Sequence, residues 1–491
     1  MQEEYDVVVV GGGTSGSVVA SRLANAGARV CLIEAGPSDL ATPVVADIRN
    51  WLSVLGGPLD YAVPIDEPAS AASYSAGRVL GGSSSLNNVW AFETPSTDLD
   101  RWVAEGLSRR TSEGLESTRP RVRAVMGASP VTDPHPASVA FLAGASQRGL
   151  PLRTLGGESL ATGAGLVRLT ARGTTRRSAS TAYLHDVPVP GLDVVVDARV
   201  NRMLIGPGGA VEGVETDRGA VRADRVVLSA GALHSPTMLM RSGIGPAAHL
   251  SEHGIPVLVD QTNVGLHLQD HPLTGATWRA RRAEPTVHSH GWETAAFTSG
   301  ATTGEDLDAC VLFSTMPSPF GLPADAHELA EGGYTLAAYL ARPASRGTVR
   351  LRSADPASAP VVRAPFLNDP EGRDRAALVK AISVLRDLAR SPALQPWLDE
   401  EVEPGPAAAD ERLEEYVSGT LGTMFHPTST CRMGSEPEGS VVDEDYNVWG
   451  VSGLRVCDAS VLPSVPTVPP YLTCLMFAER CSDVMIDDAR K

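Results

Sequence analysis

Positive charge is scarce in this 491-residue chain: 41 Lys and Arg stand against 58 Asp and Glu, a formal charge of −17. A nucleic-acid or anionic-membrane surface needs clustered cations, so neither partner is expected. The acidic balance reads as a solubility surface, with which a cationic substrate is also compatible. Cysteine is sparse too. Cys31, Cys310, Cys431, Cys457, Cys474 and Cys481 form no CxxC pair and no zinc spacing, so buried thiols are expected rather than a metal site or a disulfide framework. No apolar run reaches the roughly 18 residues of a membrane span. The opening MQEEYDVVVV enters a strand at once, without the basic and apolar regions of a signal peptide, and a cytoplasmic protein is expected. Internal repeats and low-complexity tracts are absent as well.

What is present is a globular composition, 43% apolar and 20% charged, in a chain long enough for two or three lobes. Asp6 to Val10 reads as a strand buried on both faces. Gly11-Gly12-Gly13-Thr14-Ser15-Gly16 follows, and then Val18, Val19, Ala20, Leu23 and Ala24 at helical spacing, stopped by Gly27. A second buried strand, Arg29 to Ile33, ends in Glu34, 18 residues beyond Gly16. Gly11, Gly13 and Gly16 allow a tight turn, close approach of backbone to a pyrophosphate, and packing of helix on strand. Glu34 is placed to accept ribose hydroxyls. A 2′-phosphate would be repelled by Glu34, so FAD or NAD fits and NADP does not.

Further along, Pro37 to Ala76 reads as loops and short helices over a cofactor, and Arg101 to Arg123 as solvated helices. Val194-Val195-Val196, Val226-Val227-Leu228 and Gly453 to Cys457 read as strands returning to the first sheet. Between about Leu273 and Leu421 the pattern changes to strands and amphipathic helices, including Thr348 to Leu351 and Ala376 to Leu388, a separate lobe. Thr473 to Met485 reads as a terminal helix. His288 and His290 form an HxH pair without a third ligand in view, so no metal is expected.

Several longer motifs then occur in order: GRVLGGSSSLN (Gly77 to Asn87), GALHSPTMLMRSGIG (Gly231 to Gly245), NVGLHLQDHP (Asn263 to Pro272), RPASRG (Arg342 to Gly347), HPTSTCRMG (His426 to Gly434) and GLRVCDASVLP (Gly453 to Pro463). Together they resemble the glucose-methanol-choline (GMC) oxidoreductases, FAD enzymes that oxidise alcohols, over nearly the whole chain. The resemblance implies an α/β fold: an FAD-binding Rossmann-like doubly wound domain with a mixed α+β substrate-binding domain. Residues 1–36, 77–100, 190–272 and 422–491 would form the first, 273–421 the second, and 37–76 and 101–189 covering and connecting segments.

It also implies cofactor contacts from Gly11, Gly13, Thr14, Ser15, Gly16, Glu34, Ala35, Arg78, Gly81, Gly82, Ser83, Asn87, Val200, Asp458, Ala459, Pro470 and Tyr471. Leu86 stands where family members that tether FAD carry histidine, so FAD is expected to be noncovalent. The terminal helix would aim its N-terminal dipole at negative charge on the flavin. His426 aligns with the family's first active-site histidine and would take the hydroxyl proton while hydride passes to flavin N5, giving an aldehyde or ketone. His234, His267 and His271 read as framework. The family's second polar partner, His or Asn, falls at Pro469, which has no polar side chain. Tyr471 could supply a hydroxyl instead or simply pack. The departure leaves an alternative open: a lyase of the same fold, or a flavoprotein with altered or lost turnover. Candidate substrates are a sugar, an amino sugar or a mycofactocin-type cofactor alcohol, with oxygen or another electron acceptor.

Overall fold

Five short apolar runs from distant parts of the chain pair into one parallel sheet in a computed structural model, which describes residues 4–66, 73–284, 290–299, 307–317, 332–364, 366–405, 408 and 410–490. The strand order is Leu192–Val195, Val30–Ile33, Val7–Val10, Val226–Leu228, Leu454–Val456. Continuous valine suits the inner strands, because helices and a second layer bury both faces. The order reverses on either side of Val7–Val10, which opens a crevice at the carboxyl ends of the strands, where such folds bind ligands.

The first helix, Thr14–Asn25, starts directly after Gly13 and lies tight against the strand before it. A Cβ on Gly16 would come within 1.9 Å of the Gly11 carbonyl oxygen, and Gly11 itself holds φ +96°. The terminal helix Tyr471–Asp488 packs beside the first helix. There the fully buried Glu479 accepts from Arg22, from Arg121 at 2.7 Å and from the Tyr183 hydroxyl at 2.9 Å. One carboxylate thus ties four segments, and removing it would leave Arg22 and Arg121 with Asp483 as their remaining carboxylate partner.

A second, antiparallel sheet runs Leu398–Glu403, Pro272–Ala280, Gly333–Leu340, Leu307–Ser314, Trp292–Ser299, Gly163–Leu166. Its side chains alternate as pleating requires. Val311, Phe313, Leu336 and Ala338 face the helices Pro136–Gln147 and Arg373–Ala389, while Cys310, Leu312, Ala337 and Tyr339 join the opposite apolar cluster. Three sequence expectations change here. The 101–189 segment, expected to connect, contributes the edge strand Gly163–Leu166. The helix Arg109–Met126 is not merely solvated, since Thr111, Leu115, Thr118 and Val122 fall on one face and are buried. The terminal helix begins two residues earlier than expected, at Tyr471, with Pro470 as its cap. Among the described residues no helix is long and apolar enough to cross a membrane.

Gly16→Ala should cost about 1–3 kcal/mol through backbone displacement, read as a fall of several degrees in Tm. Gly208→Ala, where a Cβ meets nothing within 4 Å, should melt like the parent.

Candidate functional site

A cavity of about 850 Å³ extends from the crevice of the parallel sheet to the second sheet. At its nucleotide end Val10, Gly11, Gly13, Thr14 and Ser15 form one wall, and Ile33, Glu34 and Ala35 the next. Glu34 is held by two backbone donors: Gly12 N–H to Oε2 at 2.8 Å and Gly36 N–H to Oε1 at 2.8 Å. Burial still raises its carboxyl to about 7, against the pull of those N–H groups and of Arg78. Gly82 faces Gly13 so closely that a Cβ on Gly82 would lie 2.7 Å from the Gly13 Cα. This side-chain-free cradle, beside a helix N-terminus with no acid in its first turn, suits a pyrophosphate. Tyr61 and His234 pack ring to ring at 4.4 Å, and both line the same end with Val200, Arg199 and Arg241.

At the far end His426 lines the cavity and meets His271, Nδ1 to Nδ1, at 2.8 Å, the two rings perpendicular. The other nitrogen of His271, Nε2, lies 2.8 Å from the Pro466 carbonyl oxygen. A carbonyl only accepts, so His271 carries its proton on Nε2 and presents a bare Nδ1. His426 must then donate from its own Nδ1, which leaves its Nε2 as the lone pair. Burial holds His271 down at about 4 and, with His271 beside it, keeps His426 well below the ordinary imidazole range. Both rings are therefore neutral at neutral pH.

Asp270 positions both histidines. Its Oδ1 accepts from the backbone N–H of His271 at 2.7 Å and the backbone N–H of His426 at 2.9 Å, and its Oδ2 accepts from the Thr423 hydroxyl. Thr423 Oγ1 in turn accepts from Phe425 N–H at 2.8 Å. Phe425 holds φ +60°, a strained conformation for a bulky residue, and this network fixes it just before the imidazole. Burial raises the Asp270 carboxyl to about 6.

Of the residues singled out in the sequence, Gly11, Gly13, Thr14, Ser15, Glu34, Ala35, Arg78, Gly82, Ser83, Asn87, Val200, His426, Asp458, Ala459, Pro470 and Tyr471 line this one cavity. Gly16 and Gly81 do not. Gly16 is the packing glycine of the first helix, and Gly81 lies under the loop, its N–H donating to Gly12 O at 2.7 Å. Pro469 and Leu86 also line the cavity. The Tyr471 hydroxyl lies 3.4 Å from the Arg177 carbonyl and contacts neither histidine. His234 forms cavity wall, whereas His271 stays behind it. The HxH pair cannot be followed, since His288 lies outside the described residues; among those described no three His, Cys, Asp or Glu side chains gather as a metal site. Sequence reasoning missed the His271 contact, Asp270, and Trp51, Trp90 and Trp292, which also line the cavity. The Asp270-His271-Pro272 run was the available signal.

Family models described as GMC oxidoreductase match residues 5–273 and 343–478. The chain is 35% identical over 515 residues to choline oxidase of Arthrobacter globiformis, covering 98% of this chain and 94% of that protein. It is 32% identical to 5-(hydroxymethyl)furfural oxidase of Methylovorus sp. (strain MP688), covering 99% of each. Among solved structures, pyridoxine 4-oxidase from Mesorbium loti shares the fold with a TM-score of 0.88 at 29% identity, covering 97% of this chain and 98% of that one. Matched over both halves by the family models, and with a nucleotide cradle and an imidazole opening on one cavity, the chain belongs to the GMC oxidoreductases, FAD-dependent enzymes that act on alcohols.

Proposed function

We propose that the enzyme oxidises a substrate CH–OH to an aldehyde or ketone with His426 Nε2 as the base that removes the hydroxyl proton. The observation that carries this is the Pro466 carbonyl, His271, His426 relay, which leaves a neutral imidazole with its lone pair on the nitrogen that His271 does not use. When bound, FAD supplies the ring that accepts the hydride. Glu34 would take the ribose hydroxyls, the Gly11–Gly16 and Gly81–Ser83 turns the pyrophosphate, and Val200 the adenine. Leu86 offers no nucleophile, so FAD would be held without a covalent bond. The terminal helix borders the cavity through Pro470 and Tyr471, and its unpaired N–H groups favour negative charge there.

Pro469 contributes no polar group, so the base would be oriented by His271 and Asp270 rather than by a second side chain across the substrate. The relatives are named for choline, 5-(hydroxymethyl)furfural and pyridoxine, three different compounds, so their names do not select a substrate.

His426→Ala should remain yellow while alcohol-driven bleaching of the flavin without oxygen falls by about 100-fold or more. His271→Phe should lower the same rate constant with little change in substrate affinity, because it removes the acceptor that fixes the tautomer. Near-normal bleaching in His426→Ala removes the imidazole from the reaction, and flavin that no alcohol bleaches favours the lyase or non-turnover alternative raised by Pro469.

Asp270→Asn replaces one accepting oxygen with a donor. It should cost about 1–3 kcal/mol in a thermal melt and slow bleaching, whereas a variant that melts and bleaches like the parent would mean the clamp is idle.

Burial leaves Glu34 protonated below about 7 in the FAD-free protein, but ribose hydroxyls need the bare carboxylate. Binding must therefore expel the proton. FAD affinity of the apoprotein should rise with pH by up to about tenfold per unit below 7 and level off above it. Glu34→Gln should flatten that profile, as read by fluorescence titration.

A further inference from the structure

The carbonyl that fixes the proton of His271 belongs to a segment with little means of holding itself. Ser464-Val465-Pro466-Thr467-Val468-Pro469-Pro470 carries three prolines, which bring no N–H, and none of it lies in a strand. Its anchors come instead from the helix Ser96–Ala104, where Asp98, Arg101 and Trp102 share one face. The Trp102 indole N–H and Arg101 donate to the Ser464 hydroxyl at 3.0 Å and 2.9 Å, and Arg101 also donates to the Val465 carbonyl at 2.8 Å. The Val465 N–H is taken by Oε1 of Gln269, the neighbour of Asp270, at 3.1 Å.

Asp98 holds the other side of Pro466. It is fully buried. Its Oδ2 accepts the Thr467 N–H at 2.7 Å, while its Oδ1 accepts the Thr467 hydroxyl at 2.7 Å and Arg101 at 3.0 Å. Arg342 completes the grip by donating to Thr467 Oγ1 at 2.9 Å. The Thr467 N–H and the Pro466 C=O belong to one peptide unit, and that unit is trans. The two bonds of a trans peptide lie in one plane and point to opposite sides. The bond to Asp98 on one side therefore sets the direction of the carbonyl on the other, where it meets His271 Nε2 at 2.8 Å. An acceptor on the N–H also shifts electron density toward the carbonyl oxygen, because hydrogen bonds through one amide reinforce each other.

Direction matters because the imidazole pair has two neutral arrangements. In one, His271 carries its proton on Nε2 and His426 on Nδ1, so His426 Nε2 can accept a proton. In the other, His271 Nδ1 donates to His426 Nδ1, and His426 Nε2 carries hydrogen and cannot act as a base. That second arrangement sets the His271 Nε2 lone pair against the carbonyl oxygen. A carbonyl held in line rejects it, whereas one free to turn away does not. We propose that Asp98 is a positioning residue for the proton transfer: through the peptide between Pro466 and Thr467 it aims the carbonyl that selects the base form of the His271–His426 pair. This rests on the oxidation assigned above.

The test reads the tautomers directly. In the FAD-loaded enzyme with isotope-labelled histidine, nitrogen NMR separates bare from protonated ring nitrogens, and the signals of the pair are identified by their loss in His271→Phe and His426→Ala. The parent should show His271 protonated at Nε2 and His426 at Nδ1. Asp98→Ala should mix the two arrangements. It should also slow oxygen-free bleaching at saturating alcohol by about 10- to 100-fold, while alcohol affinity moves by less than about threefold. Benzyl alcohol, choline and glucose serve as probe alcohols. Thr467→Val loses the hydroxyl but keeps the N–H, and should lower Tm while leaving the tautomers alone. Thr467→Pro loses both and leaves Asp98 paired with Arg101; it should mix the tautomers, and it carries the test if Asp98→Ala does not retain FAD. A lower Tm in Asp98→Ala with tautomers and bleaching unchanged makes the residue a packing clamp and overturns the proposal. If His426 in the parent carries its proton on Nε2, the base assignment fails and the proposal falls with it. If none of the probes bleaches the parent flavin, the kinetic arm speaks against the oxidation, and the tautomer signals decide the role of Asp98 by themselves.

Discussion

The structure depends on two loops being able to touch backbone to backbone. The turn after the first strand and the Gly77–Ser83 turn meet with no side chain between them: Gly81 N–H donates to Gly12 O, and Cβ atoms on Gly77 and Gly82 would overlap the opposite or neighbouring main chain. Close approach of this sort leaves the nucleotide end lined by Gly11, Gly13, Thr14, Ser15, Gly82 and Ser83, main chain and small hydroxyls without a bulky side chain. Even one methyl group here would push the loops apart, and the crevice of the parallel sheet would lose its second wall. The adjoining far end can then be shaped by the antiparallel sheet and the His426 loop without disturbing the nucleotide cradle.

Both ends use the same electrostatic device with opposite results. Glu34 and Asp270 are carboxyls in a low-dielectric interior, each oriented by backbone N–H groups and each raised by burial. The imidazoles of His271 and His426 experience the same surroundings and move the other way. Deep burial thus leaves protonatable carboxyls and neutral imidazoles side by side, with hydrogen-bond direction rather than net charge arranging the site.

Much of the fold was legible because it is written in local periods. The valine runs, the glycine spacing and Glu34 announce the first β-α-β unit, and Val226–Leu228 and Leu454–Val456 declare themselves as strands by composition alone. Gly163–Leu166 did not, since Gly-Ala-Gly-Leu has no strand signature and becomes one only by pairing with Trp292–Ser299. His426 stood out through its motif. Its contact with His271 could not be seen, because 155 residues separate them and no local pattern reports which loop will land beside which strand. Tyr471 illustrates the same gap: its position at the cavity followed from the motif, but the direction of its hydroxyl depended on where Arg177 came to rest. The cavity-lining tryptophans were likewise hidden, as Trp51, Trp90 and Trp292 come from three unconnected segments.

The pairing of Val226–Leu228 with Leu454–Val456, and of the first helix with the terminal one through Glu479, sets the order in which the molecule can be completed. On the ribosome, the opening β-α-β unit emerges hundreds of residues before the partners that cover it. Its apolar helix face must wait in contact with water or a chaperone. The nascent chain therefore spends most of its synthesis unable to grip its nucleotide firmly, and cofactor capture becomes a late, near-final event in biogenesis rather than a seed for folding.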